Sequence, residues 1–151
     1  MNTIREIIIQ DFVTRLALIT TAGGYATNIG THVLRARKKI DPSELPAVII
    51  WPGAETPYHK SGALFCVMTV KLEGIALFGT EDPSVIAEKI LGDLKKCVLA
   101  TNWTRTPEYI DGIVYTGGGD SDSPDDGQTT AGAYVSFDVK YQTKLDDPCS
   151  Q

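Results

Sequence analysis

Two histidines, three cysteines, a run of aspartates and a short basic cluster are the residues of this 151-residue chain whose types could do chemistry. Nucleophilic catalysis needs a base held beside the nucleophile and a third group to orient it. Neither His32 nor His59 has such a neighbour in the sequence, and no Gly-x-Ser-x-Gly elbow occurs. His32 reads as a strand-surface or half-buried residue, and His59 as part of a loop, Thr56-Pro57-Tyr58-His59-Lys60. Phosphate binding by a Gly-x-x-x-x-Gly-Lys-Ser/Thr loop is excluded as well, and Gly23-Gly24, followed by Tyr25, reads as the stop of a helix. Asp120, Asp122 and Asp126 resemble an oxygen-ligand calcium loop only in part: Pro124 stands between them, and Ala131 falls where a bidentate Glu belongs. No enzyme activity, metal or cofactor is therefore expected.

Charge narrows the partners. The formal net charge is −5 with a pI near 4.9, which argues against a surface built mainly to grip nucleic acid. Arg35, Arg37, Lys38 and Lys39 are the one local concentration of positive charge. On their own they read as a solvated strand end, with an anionic partner surface or DNA phosphates as the functional readings. Neither Trp51 nor Trp103 has the interleaved aromatic and basic residues of a single-strand binding platform. Cys66, Cys97 and Cys149 lack Cys-x-x-Cys spacing and read as free thiols of a reducing compartment. No apolar run approaches the roughly 18–20 residues of a membrane span, and Met1 to Ile4 is not the basic opening of a signal peptide.

The elements that must position these residues follow from periodicity. Ile4, Ile8, Phe12, Leu16 and Ile19 recur at intervals of three and four, so an amphipathic helix is expected from Thr3 to about Ile19, opened by Thr3 and Glu6 as a capping box and closed by Gly23-Gly24. Thr31 to Arg37 alternates like a half-exposed strand, and Ala47 to Trp51, bounded by Pro46 and Pro52, reads as a strand buried on both faces. Ala63 to Ala76 gives the longest strand signal, long enough to overshoot its sheet. Asp82-Pro83 opens a second helix whose stripe is Ile86, Ile90, Leu94 and Val98, with Val85 and Leu91 beside it. Tyr109 to Thr116 and Ala133 to Thr143 complete the strands, the latter turning Val135, Phe137, Val139 and Tyr141 inward.

Between those last strands, Gly117 to Gly127 holds no apolar residue and reads as a long mobile hairpin loop, spanning about 117–128. It is either a solvated tip or a segment that orders against a partner. Residues from Leu145 onward read as a frayed tail. The expected fold is a single α+β domain over 1–151: a mostly antiparallel, mixed sheet of about five strands with both helices packed on one face.

Leu34-Arg35-Ala36-Arg37, then Glu44-Leu45-Pro46-Ala47-Val48-Ile49-Ile50-Trp51 and Glu55, together with the helix and strand order and a final strand ending near Tyr141, resemble the tail terminator family (minor tail protein U-type) of long-tailed bacteriophages. The resemblance covers most of residues 4–143 and leaves out the acidic stretch from Asp120 to Asp126. It implies a non-enzymatic structural protein of the virion that forms a homo-hexameric ring on the head-proximal end of the tail tube, stops polymerisation and presents the docking surface for the head connector. It implies as partners the chain itself, the tail tube protein and the head-completion protein, with DNA passing through without sequence-specific contact. Interface residues on this reading are Arg35, Arg37, Lys38, Lys39, Glu44 and Trp51, with Asp120, Asp122, Asp125 and Asp126 on the acidic loop. A ring of six would carry about thirty net negative charges, which disfavours adhesion of DNA in its bore.

Two rivals remain at the level of sequence. One is a head-completion or connector protein of similar size. The other, of a different class, is a small ligand-binding or enzymatic α+β domain that uses the loops around His59 and Asp120.

Overall fold

A computed structural model describes residues 1–60, 62–100, 109–121 and 129–151. Helix α1 (Ile4–Leu16) leads through a 3-10 turn into strand β1 (His32–Arg35); β2 (Ala47–Lys60) and β3 (Ala63–Leu77) follow, then helix α2 (Pro83–Leu99), β4 (Ile110–Asp120) and β5 (Thr130–Lys144). The five strands form one sheet in the order β1-β2-β3-β5-β4. Only β1 and β2 are parallel; the other neighbours are antiparallel. This is the expected α+β mixed sheet.

Alternation in the strands decides which face is covered. Cys66, Met68, Val70 and Leu72 of β3 and Val135, Phe137, Val139 and Tyr141 of β5 are buried, and they join Ile4, Ile8, Phe12 and Leu16 of α1 and Ile90, Leu94 and Val98 of α2 in one cluster. Both helices therefore lie on one face. The other face carries Trp51, Lys71, Glu73, Tyr134, Ser136 and Asp138, half-buried or exposed. On it Lys71 lies 5.0 Å from the Tyr134 ring centroid, a cation over a π face. Of the run Ala47 to Trp51, expected to be buried on both faces, Ala47 to Ile50 are buried and Trp51 is half-buried.

Several boundaries move, each for a physical reason. Helix α1 ends at Leu16, well before Gly23, because Thr20 and Thr21 bond locally instead: the Thr20 hydroxyl accepts from the Gly23 amide at 3.1 Å, and the Thr21 amide donates to the Asn28 side chain at 2.9 Å. Thr3 does accept from the Glu6 amide, but the Glu6 carboxylate turns to Arg35 rather than back to the cap. In α2 the buried stripe is Ala87, Ile90, Asp93, Leu94, Cys97 and Val98, which leaves Val85 48% exposed on the far side.

Strand β2 does not stop at Pro52 but runs to Lys60, so His59 lies on a strand and not in a loop. The Ile50 carbonyl faces β1, accepting from the Ala36 amide at 2.8 Å, and Pro52, two residues on, faces the same way. Its missing N–H therefore costs no bond to β3. Strand β3 does not overshoot: all of it, from Ala63 to Leu77, is paired with β5. Gly117 to Asp120, expected in the mobile loop, is strand, paired with Ser136 through Ala133. The tail is not frayed. The Ile4 amide donates to the Pro148 carbonyl and the Lys144 amide to the Ser150 carbonyl, both at 2.9 Å, so the C-terminal turn closes over the start of α1. No helix among the described residues is long and apolar enough to cross a membrane.

Candidate functional site

Among the described residues singled out for function, Arg35 and Asp120 fall on the two edges of the sheet. On the β1 side, Arg35 ends the strand and forks onto Glu6 of α1, Nη1 to Oε1 at 2.7 Å and Nη2 to Oε2 at 2.8 Å. That hydrogen bond is the main reason the Glu6 carboxyl is held below its ordinary value, and it raises the Arg35 guanidinium in turn. Ala36 then takes a φ of 49°, a left-handed turn that ends the strand and throws the next residues outward. Arg37 donates to the Glu44 carboxylate at 2.5 Å. Glu44 also closes the capping box of the 3-10 turn Pro42–Glu44, whose Asp41 carboxylate accepts from the Ser43 amide and is lowered by it. Lys38 and Lys39 are exposed and belong to none of the ion pairs found among the described residues.

On the opposite edge, β4 ends at Asp120, exposed, with Asp111 exposed nearer its start. Asp122, Asp125 and Asp126 lie outside the described residues, as do Trp103 and the His59 side chain. Trp51 is half-buried on the helix-free face, beside Lys71 in register. The structure thus pairs Arg37 with Glu44 and Arg35 with Glu6, and sets Asp120 apart from them, across the full width of the sheet.

The register fixes their relative height. Arg35 pairs with Ile50, Ile50 with Leu72, Leu72 with Val135 and Val135 with Gly118, so these five form one row across the sheet. Two residues along, past the row of Leu34, Ile49, Glu73, Tyr134 and Gly119, a further row runs Val33, Val48, Gly74, Ala133, Asp120. Basic and acidic edges are therefore level with each other.

The two edges are guarded unequally. Below β1's reach, β2 from Trp51 to Lys60 has no outer partner among the described residues, yet it carries Pro52 and Pro57 and a bulge between Pro52 and Glu55. Prolines and bulges are what sheets use to blunt an edge. Strand β4, eleven residues long, has no proline and no outer neighbour among the described residues; its register shifts lie between Ile110 and Gly112 and between Tyr115 and Gly117, which leaves Gly117 to Asp120 as a regular open stretch.

A half-open cavity of about 170 Å³ lies at the other end of the molecule, between Arg5, Glu55, Leu64, Cys66, Tyr141 and Thr143. Its polar groups are committed to one another. Arg5 donates to the Gly53 carbonyl at 2.6 Å and stands 3.6 Å from Glu55, and the Tyr141 hydroxyl donates to Glu55. The Cys66 thiol at its wall is pushed up by burial, which opposes the nucleophilic thiolate. Sequence reasoning missed this cavity because its walls come from four separate segments.

His32 is half-buried, its Nδ1 3.3 Å from the Pro46 carbonyl, in a structural role. His59 and Asp120 sit at opposite ends of the sheet: His59 is paired with Leu64, and Asp120 is in the row of Gly74. Ten residues of strand separate those rows, roughly 33 Å, too far for one small-ligand site. No group of three or more potential metal ligands occurs among the described residues. No protein-family model matches the chain, and no curated protein matches it significantly.

Proposed function

We propose that this chain is a structural assembly protein, a tail terminator that caps the head-proximal end of a phage tail tube as a ring. The observation that carries the reading is the pair of unlike sheet edges, one basic and short, the other longer, free of proline and acidic at its end. Unlike edges favour head-to-tail contacts, and such contacts generate a ring when the rotation between copies closes. A ring with one face fitted to the last tube subunit and a different face above satisfies the growing end without offering a new one. The upper face would then meet the head-completion protein, with DNA passing through a bore of net negative charge.

Electron microscopy of the chain mixed with bare tail tubes tests this. Decoration of one end of each tube, with no further growth there, is the expected result. Tubes that stay bare, or that bind the chain along their length, refute it, and decoration of portal complexes instead favours the connector reading.

A further inference from the structure

We propose that copies of this chain join head to tail by antiparallel pairing of the Gly117–Asp120 stretch of β4 with β1 of the next copy, Arg35 of one reaching Asp120 of the other. The inference rests on the self-assembling part of the reading above and names the surfaces that would carry it.

Backbone polarity supplies the first argument. The Ser121 amide donates to the Gly132 carbonyl at 3.0 Å, so Ser121 faces its partner strand. By the alternation of an antiparallel ladder, Asp120 does not, Gly119 does, and Gly118 does not. Asp120 and Gly118 therefore turn their N–H and C=O groups outward. On the far edge the Ala36 amide donates inward to the Ile50 carbonyl, which by the same alternation turns Arg35 and Val33 outward. Val33 is in the row of Asp120, and Arg35 in the row of Gly118. Strand β1 also runs opposite to β4, since it is parallel to β2 and three antiparallel pairings separate β2 from β4. A second copy set beside the first, at the same height, thus presents outward groups to outward groups in antiparallel register.

Length and shape agree. Of the four residues of β1, three, Val33 to Arg35, stand level with Asp120 to Gly118 in the part of β4 beyond its last register shift, and His32 stands level with Ser121. Leu34 and Gly119 share a row and stand on the helix-free face, where Gly119 leaves room for the neighbour's leucine to approach Tyr134. On the helix face, Asp120 would oppose Val33 and lie diagonal to Arg35, a spacing that a long side chain spans. Arg35 would then bridge Glu6 of its own copy and Asp120 of the next, with Lys38 and Lys39 adding positive charge close by. The rest of β2's edge is closed to such pairing by Pro52 and Pro57.

Sedimentation of the purified chain over a range of concentrations, in low and high salt, tests the pairing. Wild type should self-associate, less so in high salt. Asp120→Arg and Arg35→Glu should each weaken association at least tenfold, and an equal mixture of the two variants should recover most of it, because each then offers the edge the other lacks. Asp120→Pro, which removes one outward donor without touching β5, should abolish it. Recovery in the mixture also reports that both variants are folded. A wild type that stays monomeric to millimolar concentration, charge reversals without effect, or a mixture that does not recover would each overturn the proposal. Association that follows this pattern while tail tubes stay bare would refute the tail reading and leave the edge pairing standing. Tubes capped by a chain indifferent to both reversals would do the opposite.

Discussion

Arg15 and Cys97 close the ends of the two helices on each other: the Arg15 Nε donates to the Cys97 carbonyl at 3.1 Å, and the Cys97 thiol donates to the Arg15 carbonyl at 3.3 Å. Both carbonyls belong to the last turn of their helices, and the Arg15 carbonyl also accepts from the Leu18 amide at 3.1 Å. The side chains of Arg15 and Cys97 thus tie the two C-termini together. Replacing Arg15 by Met keeps the packing stem and removes the charged donor; a loss of about 1–2 kcal/mol in urea unfolding is expected.

The same burial makes Cys97 inert. Desolvation pushes its thiol up, as it does that of Cys66, and both are at most 2% exposed, whereas Cys149 is half-buried in the C-terminal turn. A thiol-reactive dye should label Cys149 first in the native protein and reach all three cysteines only in denaturant. Rapid native labelling of Cys66 or Cys97 would show that the core opens more readily than its packing implies.

Asp93 is 4% exposed and accepts from the Ala26 amide at 3.0 Å, the Thr27 amide at 2.8 Å and the Thr27 hydroxyl at 2.6 Å. It holds the loop after α1 against α2. Asp93→Ala strands these donors, and a destabilisation of about 2–4 kcal/mol, read from the shift of the urea midpoint, is expected. A variant as stable as wild type would mean that water replaces the carboxylate there.

Acid should weaken the Arg35–Glu6 fork. The Glu6 carboxyl is lowered from its ordinary value of 4.5, chiefly by the Arg35 hydrogen bond. A carboxyl lowered on folding contributes stability that is present above the unfolded value and lost as pH falls through the folded one. The gap in stability between wild type and Glu6→Gln should thus be only ~0.2–1 kcal/mol near neutral pH, because the pair is exposed, and should vanish below that lowered value. Chemical denaturation at a series of pH values would measure it.

Gly74 marks how closely the helices approach the sheet. A Cβ there would stand 2.4 Å from the Ile90 Cγ2 and 3.0 Å from the Ile29 Cδ1. Gly74→Ala should cost about 1–3 kcal/mol by overpacking, visible as a lower melting temperature.

What could be read from the sequence was whatever rests on local chemistry. Asp82 caps α2, with Pro83 in the first turn, as the dipeptide implied, and alternation in β3 and β5 gave the correct buried faces. What escaped depends on the partner strand. Pro57 looks like a strand breaker until β2 is known to lie at an edge beyond the reach of β1. Gly117 to Gly119 look like a loop until β5 supplies Ser136, Val135 and Tyr134 as pairing residues. The charges of the candidate surface were visible in the sequence, but their equal height was not, because it follows from a strand order that places β5 between β3 and β4.

The bond between the Ile4 amide and the Pro148 carbonyl places both chain ends at one corner, beside Thr143 and Leu64 and many residues of strand away from Arg35 and Asp120. A fluorescent protein or affinity handle attached at either terminus would therefore emerge from the same spot and leave both lateral borders clear, and joining the termini through a short linker would permit circular permutants that keep those borders intact.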